Sequence, residues 1–379
     1  MSKWALVPLG DVMATHIDAV PTADLRMVNL AGVYGFGRGL FKRGQTSPME
    51  TTYKAFHRLN GGDFVISSPK AWEGAVSRIP EEFDGWFLSP VFPTFHANSD
   101  RLDTRYLNWY CKRPAVWHQL HDRSKGMGAR RESVSPTQFL SLRIPLPPLA
   151  EQQAIVARLD ALADGTRQLS EHLDAIEADA AAFVLSIHHK LADGREVALS
   201  DMIELYEEAE RICPDREYPQ VGVRSFGGGL FAKAPVAAIA TSYRAFNTLF
   251  QGALVLSQVK GWEGAIALTP PSLIGRFASP EYRTFRCIEG EASADYLGEL
   301  VKTPWFWSLL QDATRGVGAR RERTRPEQFL NIALPMPKYT DQCKAVRMFS
   351  RMNTLKTHHA ALREANGALL PATLERLFA

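Results

Sequence analysis

Gly32-Val-Tyr-Gly-Phe-Gly-Arg-Gly-Leu-Phe41 returns, 190 residues later, as Gly222-Val-Arg-Ser-Phe-Gly-Gly-Gly-Leu-Phe231. The same offset relates Tyr53-Lys-Ala-Phe56 to Tyr243-Arg-Ala-Phe246, Trp72-Glu-Gly-Ala75 to Trp262-Glu-Gly-Ala265, Ser89-Pro90 to Ser279-Pro280, and Thr94-Phe95 to Thr284-Phe285. It also relates Gly126-Met-Gly-Ala-Arg-Arg-Glu132 to Gly316-Val-Gly-Ala-Arg-Arg-Glu322, and Gln138-Phe-Leu140 to Gln328-Phe-Leu330. One such match would be chance. So many at a single ungapped offset mean a tandem duplication of a unit half as long as the 379-residue chain.

Roughly the first 145 residues of each unit mix short Gly- and Pro-punctuated strands with helical stretches. Asp63-Phe-Val-Ile-Ser67 and Ala253-Leu-Val-Leu-Ser257 read as strands, and residues 102–120 and 294–310 as helices. The pattern predicts a compact mixed α/β domain, α+β in class. Each ends in a proline-rich join, Ile144-Pro-Leu-Pro-Pro148 or Leu334-Pro-Met-Pro337. Proline interrupts ladders and helix interiors alike, so both joins are boundaries.

Beyond the first join, Ile155, Leu159, Leu162, Thr166, Leu169, Leu173, Ile176, Ala180, Phe183 and Ile187 alternate by four and three, the rhythm of a coiled-coil helix. Gly165 is its weak spot. Met348, Met352, Leu355, His359, Leu362, Asn366 and Leu369 repeat the rhythm with two polar residues, and Pro371 is expected to end or kink that helix. Residues 148–190 carry seven acidic and three basic side chains, and residues 338–379 seven basic and three acidic. Two rods of opposite charge, each about 60 Å long, are expected to pair antiparallel with one globular domain at each end. The competing arrangement packs each amphipathic helix on its own domain. The expected division is domain 1 at 1–147, a first long helix at 148–192, domain 2 at 193–337 and a second long helix at 338–379, related by a pseudo-two-fold.

Composition narrows the function. Hydrophobic residues at 45% and charged residues at 22% exclude a disordered or collagen-like chain. Cys111, Cys213, Cys287 and Cys343 form no CxxC pair, so neither a disulfide framework nor a cysteine zinc site is expected, and a reducing cytoplasm fits. No apolar run reaches the ~18–20 residues of a membrane span, and Met1-Ser-Lys-Trp-Ala-Leu-Val7 lacks a signal-peptide core. A net charge of +3 does not by itself announce a polyanion partner.

The tools of catalysis do not assemble. Gly35-Phe-Gly-Arg-Gly39 has the look of a phosphate loop, but its duplicate is Ser225-Phe-Gly-Gly-Gly229 and no Lys-Ser/Thr follows. A glycine turn bringing backbone close to another segment suits both copies better. Ser89-Pro-Val-Phe92 and Ser279-Pro-Glu-Tyr282 lack the second proline of an amino-methyltransferase loop and read as strand-edge turns. His118 and His121, His188-His189 and His358-His359 have no further ligands beside them, so no metal site is expected. No nucleophile, base and oxyanion donor come together, and the chain reads as non-catalytic.

Nucleic-acid contact is better supplied. Arg38, Lys42 and Arg43 follow the first glycine turn, and Lys233 follows the second. Lys70 and Lys260 each precede a Trp-Glu-Gly-Ala, and Arg130-Arg131 and Arg320-Arg321 each follow a flexible glycine pair. Arginine forks onto phosphate or onto the O6/N7 edge of guanine. Positions shared by both copies suit phosphate contact or architecture. Sequence choice belongs where the copies differ, as at Tyr34 against Arg224, or residues 45–50 against 235–240. Trp72 and Trp262 read as core rather than base-stacking residues.

These residues resemble the specificity subunit of type I restriction-modification systems over nearly the whole chain. The resemblance is most specific at Gln138-Phe-Leu-Ser-Leu-Arg-Ile-Pro-Leu-Pro-Pro-Leu-Ala-Glu-Gln-Gln-Ala-Ile-Val-Ala-Arg-Leu-Asp160. Arg-Gly-Leu-Phe, Lys-Ala-Trp-Glu-Gly-Ala and Gly-x-Gly-Ala-Arg-Arg-Glu are likewise typical of one class of its target recognition domains. The second join, Leu334-Pro-Met-Pro-Lys-Tyr-Thr-Asp-Gln342, keeps two prolines and the glutamine but lacks Pro-Leu-Ala-Glu. The resemblance implies two target recognition domains that each read half of a split duplex-DNA target, with a helix pair fixing the unread spacer. It implies two modification subunits that bring S-adenosylmethionine and methylate adenine N6, while this chain binds no cofactor itself. It also admits a restriction-translocase subunit, or a phage-defence complex without one. A stand-alone methyltransferase-nuclease and a DNA-independent coiled-coil scaffold are the readings from other classes.

Overall fold

A computed structural model describes residues 4–47, 51–123, 133–314 and 323–378. The first repeat runs through β1 (Leu6–Pro8), β2 (Met13–Thr15), β3 (Asp18–Pro21), β4 (Val28–Val33), β5 (Leu40–Thr46), β6 (Ala55–Arg58), β7 (Phe64–Ile66), β8 (Val76–Arg78), β9 (Phe87–Leu88) and β10 (Thr94–Ala97). It continues with α1 (Thr104–Cys111), α2 (Pro114–Arg123), α3 (Pro136–Leu140), β11 (Arg143–Pro145) and the long α4 (Leu149–Ala192). The second runs through β12 (Glu196–Ala198), β13 (Ile203–Leu205), β14 (Glu208–Arg211), β15 (Glu217–Val223), β16 (Leu230–Ala237), β17 (Ala245–Thr248), β18 (Leu254–Ser257), β19 (Ile266–Leu268), β20 (Phe277–Ala278) and β21 (Tyr282–Cys287). It closes with α5 (Ala294–Leu300), α6 (Pro304–Thr314), α7 (Pro326–Leu330), β22 (Ala333–Pro335) and the long α8 (Tyr339–Phe378).

The duplication extends to topology and register. A four-stranded sheet ordered β2-β10-β7-β8 is matched by β13-β21-β18-β19, and a five-stranded sheet ordered β3-β6-β9-β4-β5 by β14-β17-β20-β15-β16. Phe64 pairs with Arg78, as Leu254 pairs with Leu268. Phe64, Val65 and Ile66 are all buried, as are Leu254, Val255, Leu256 and Ser257, because these short apolar runs have a covered face on either side. In each repeat the opening strand returns to pair with the strand just before the join, β1 with β11 and β12 with β22.

Two helical stretches differ from the sequence expectation. Residues 102–120 contain α1 and α2, and residues 294–310 contain α5 and α6, each pair broken just before Pro114 or Pro304. Proline is tolerated in the first turn of a helix but lacks the N–H that would continue the preceding one, so each starts a new helix.

The chain forms two compact units, residues 1–171 with 362–379, and residues 172–361. In the first, Ile155, Val156 and Leu159 of α4 share a core with Leu374 and Phe378 of α8 and with Phe64, Phe95, Tyr106 and Phe139 of the sheet-bearing domain. Asn366 Nδ2 donates to the Thr166 carbonyl at 2.8 Å and to Ser170 Oγ at 3.0 Å. The start of one long helix therefore lies against the end of the other, with a polar pairing that fixes their register. In the second unit, Val184 of α4 shares a core with Ala345 and Phe349 of α8 and with Phe285, Tyr296, Phe306 and Phe329.

The buried seam drifts from the strict heptad. Leu169 and Phe183 are exposed while Leu173 and Val184 are buried, and on α8 Met348, Leu362 and Leu369 are exposed while Ala345, Phe349 and Asn366 are buried. The side chain of Leu355 lies outside the described residues. A helix of 3.6 residues per turn loses about 20° per heptad against a 3.5-residue repeat, so the buried stripe shifts by one residue. Pro371 does not end α8, which continues to Phe378. Burial of Leu374 and Phe378 in the domain core holds the last turn in place.

Both joins are clamped by a glutamine. Gln152 is fully buried; its amide nitrogen, Nε2, donates to the carbonyls of Arg101 at 2.8 Å and Pro147 at 2.9 Å, and its Oε1 accepts from the Asp103 N–H at 2.9 Å. Gln342, equally buried, donates to Glu291 at 3.0 Å and Pro337 at 2.9 Å and accepts from the Ser293 N–H at 2.9 Å. The divergent second join thus keeps the same three hydrogen bonds.

Candidate nucleic-acid interface

The duplicated glycine motif forms the tip of the β4–β5 hairpin in one copy and of β15–β16 in the other. Gly32 pairs across the hairpin with Phe41, and Gly222 with Phe231. In both cases the phenylalanine ring lies so close over the glycine that a Cβ would collide with it. The tip is closed by Tyr34 N–H donating to the Gly39 carbonyl, or Arg224 N–H to the Gly229 carbonyl, each at 2.9 Å.

The tip is also bolted to the second duplicated motif. Phe36 N–H donates to the Glu73 carbonyl at 2.7 Å and Gly37 N–H to the Gly74 carbonyl at 2.9 Å; Phe226 and Gly227 repeat this on Glu263 and Gly264 at 2.8 and 3.4 Å. The segment the glycine turn approaches is therefore Trp-Glu-Gly-Ala, and these two amides serve architecture. Phe36 and Phe226 have φ of 60° and 55°, a region costing a non-glycine residue roughly 1–2 kcal/mol. They are nevertheless 62% and 67% exposed, so the strained backbone holds a large apolar ring at the surface in both copies.

On this shared frame the two tips carry different chemistry. In domain 1 the Tyr34 ring stacks on Phe41, with centroids 4.2 Å apart, and the Arg38 guanidinium lies 4.8 Å from the Tyr34 centroid. Arg38 Nε also donates to the Gly35 carbonyl at 3.1 Å. In domain 2 the Arg224 guanidinium lies directly on Phe231, 4.5 Å from its centroid. The residue matching Arg38 is Gly228, and a Cβ there would strike the Arg224 stem. A cation therefore sits one ring further out in domain 1 than in domain 2.

Beside each tip lies a cleft. In domain 1 it encloses about 340 Å³ and is lined by Arg38, Arg78, Arg105 and Lys112 against Asp160. Arg105 is held by Asp103 and Arg78 by Glu81, both at 2.7 Å. The Lys112 ammonium sits 4.0 Å from the Trp109 centroid, and burial lowers its pKa while Asp160 opposes the shift. The matching cleft in domain 2 encloses about 710 Å³ and presents Lys302 with Asp295 and Glu299 among apolar neighbours. Arg78, Arg105 and Lys112 were not picked out by sequence reasoning. For Arg78 and Arg105 the signal was the difference between copies, since Leu268 and Asp295 stand in their places; Lys112 is matched by Lys302 and carried no such signal.

The other expected contacts are more scattered. Arg43 and Lys233 occupy equivalent places in the register break of their hairpins, opposite Leu30–Ala31 and Pro219–Val221 respectively. Lys42 is exposed, 3.7 Å from Glu82 and over the Trp86 ring. Lys70 and Lys260 pair with Glu73 and Glu263 at 3.2 and 3.5 Å, beside the segment that receives the tip. Arg130, Arg131, Arg320 and Arg321 lie outside the described residues. Trp72 and Trp262 are half-buried, and Trp72 and Phe92 are each accounted for locally: Trp72 Nε1 donates to the Pro69 carbonyl, and the Phe92 N–H closes a turn on Ser89.

Residues 1–178 match the family model of the type I restriction modification DNA specificity domain. No curated protein matches the sequence. Among solved structures, the HsdS subunit from Thermoanaerobacter tengcongensis is 17% identical with a TM-score of 0.57, covering 99% of this chain and 96% of that one. A chain described under "complex assembly and conformational transition of the type I R-M system" is 17% identical with a TM-score of 0.61, covering 99% and 95%. At such identity the likeness is one of fold. No described helix is long and apolar enough to cross a membrane. The chain is thus similar to the type I restriction modification DNA specificity domain over its first repeat, carries the same topology again in the second, and shares its fold end to end with HsdS.

Proposed function

We propose that each domain reads one half of a bipartite duplex-DNA target through its hairpin tip and the adjoining cleft, and that the chain addresses methyltransferase subunits to that target. The observation that carries this reading is one backbone frame bearing different side chains. Tyr34, Arg38, Arg78 and Arg105 in domain 1 are replaced by Arg224, Gly228, Leu268 and Asp295 in domain 2. Six of these eight positions are exposed, with Arg78 and Leu268 half-buried, so the differences change what each tip presents while Phe36 and Phe226 stay.

The division of labour is economical in contacts. A bidentate contact discriminates by about 1–3 kcal/mol, and two linked half-site readers gain from effective concentration when the spacer suits them. Helix length sets that spacer. Two partner subunits carry S-adenosylmethionine and methylate adenine N6, and a restriction-translocase subunit joins them where a complex also cleaves. Catalysis rests with the partner subunits in this reading, and the chain's net charge of +3 makes isolated binding weak.

The reading is tested by sequencing methylated adenines in cells that express this chain with its methyltransferase, against cells with the methyltransferase alone. A split motif that appears only with the chain is the expected result; no new motif would contradict it. Adding one heptad to each long helix should lengthen the accepted spacer and leave both half-sites unchanged. An altered half-site at constant spacer would end the ruler account.

A further inference from the structure

His16, Asp63 and His96 come from three separate stretches of domain 1 and meet where β2, β10 and the start of β7 adjoin. His16 Nδ1 is 3.0 Å from Asp63 Oδ2, His96 Nδ1 is 2.7 Å from Asp63 Oδ1, and their candidate ligand atoms all lie within 4.8 Å of one another. Asp63 is only 3% exposed, whereas the His16 and His96 side chains are 51% and 70% exposed. A buried carboxylate is costly unless its oxygens are satisfied, and here one imidazole faces each oxygen.

The second domain shows that the fold does not require this trio. The His16 N–H donates to the Thr94 carbonyl at 2.8 Å, and the Tyr206 N–H to the Thr284 carbonyl at 3.0 Å, so the backbone frames agree. Yet Tyr206, Ala253 and Arg286 replace His16, Asp63 and His96. Arg286 lies 4.0 Å over the Tyr206 ring and pairs with Glu204 at 2.5 Å, a different and self-contained solution. All three positions change together, and the buried carboxylate exists only where both imidazoles do.

We propose that His16, Asp63 and His96 form a site for one divalent transition-metal ion of the zinc class on domain 1. Two imidazole nitrogens and one carboxylate oxygen match the donor set of zinc and its neighbours, whereas calcium and magnesium take oxygen ligands. Three protein ligands leave coordination open to water from the adjoining concavity of about 720 Å³, which His16 and His96 line. Each ring bonds to the ion through neutral Nδ1. Its proton then sits on Nε2, where a half-exposed ring has water as a partner. The ion ties β2 to β10 and to the chain entering β7, and so stabilises domain 1 in proportion to its occupancy.

The test uses the full chain, stripped with a chelator and then titrated with Zn(II), with Co(II) as a spectroscopic probe. One tight equivalent is expected, with a d–d absorption for Co(II) and a rise in Tm that chelator reverses. H16Q and H96Q change exposed side chains and should each weaken that equivalent by at least ~100-fold, since even supporting residues around a metal contribute 10–100-fold. D63A reproduces the residue of domain 2 and should abolish it. Absence of a tight equivalent in the unmodified chain, or undiminished binding in both H16Q and H96Q, overturns the proposal. The latter result would place the ion among the remaining histidines or cysteines.

Discussion

The two units hold their long helices by different chemistry at matching positions. In the first, buried Arg113 reaches Glu375 of α8 at 2.8 Å and the Phe378 carbonyl at 3.4 Å, Trp109 Nε1 donates to Asp160 of α4 at 2.8 Å, and Asn366 ties α8 to α4. In the second, the equivalents of Arg113, Glu375, Trp109 and Asp160 are Thr303, Leu185, Glu299 and Ser350. There the grip is apolar, through Val184, Ala345 and Phe349. At the end of the helices the contrast reverses. Phe378 packs edge-on to Tyr106 and Tyr110, whereas its counterpart His188 is buried against Trp305 and bonds Tyr296 Oη at 2.8 Å. A duplicated frame can thus be fastened by ionic or apolar means.

The feature the copies share should be the most costly to lose. Q152A leaves the Asp103 N–H and the carbonyls of Arg101 and Pro147 without their partner, and Q342A does the same in the second unit. Each should lower stability by about 4 kcal/mol, at roughly 1–3 kcal/mol per stranded group. Denaturant titration checks this, and a large cost in one copy only would break the equivalence of the joins.

The next contrast is in pH dependence. Burial pushes the His188 pKa down to about 4, with His189 adding to the shift and the Pro335 backbone opposing it. The unfolded chain therefore takes up a proton near pH 6.5 that the folded unit refuses until about pH 4. Stability falls as pH drops through that window, by about 3 kcal/mol in all, and is flat in this term above it. H188F, the residue type of position 378, should remove that slope. A slope unchanged in H188F would assign it to other groups.

Smaller effects separate the two grips. R113T strands the Glu375 carboxylate, but that group is half-exposed and screened, so the expected loss is about 2 kcal/mol rather than the 3–5 kcal/mol of a fully buried pair. R113T with E375L imports the polarity of domain 2 and should recover most of it. If the double variant is worse than R113T alone, the apolar grip depends on neighbours that only the second unit has.

Much of the fold was legible because duplication is a property of residue order. The 190-residue offset fixed two domains, and proline placed both joins within a few residues of where α4 and α8 begin. The heptad reading was right about the long helices and about Ile155, Leu159, Leu173 and Asn366, and missed at Leu169 and Phe183, where the buried side falls to Ser170 and Val184. The glycine turn was legible as a turn, but its partner segment was not, because a backbone hydrogen bond leaves no residue-specific trace. Gln152 and Gln342 stood in plain view within the join, but nothing in a single glutamine says that it is fully buried. His16, Asp63 and His96 are spread over 81 positions and converge only through sheet order.

The central claim is that one frame presents two separate reading tips, and the direct measurement is the methylation motif directed by the Y34R/R38G double variant. This change gives domain 1 the tip residues of domain 2, with Gly at position 38 making room for the arginine stem as Gly228 does. Stability should move by less than about 0.5 kcal/mol, as for other surface substitutions. Sequencing of methylated adenines should then show one half-site altered, with the other half-site and the spacer retained. An unchanged motif, or a change in both halves at once, would contradict the account.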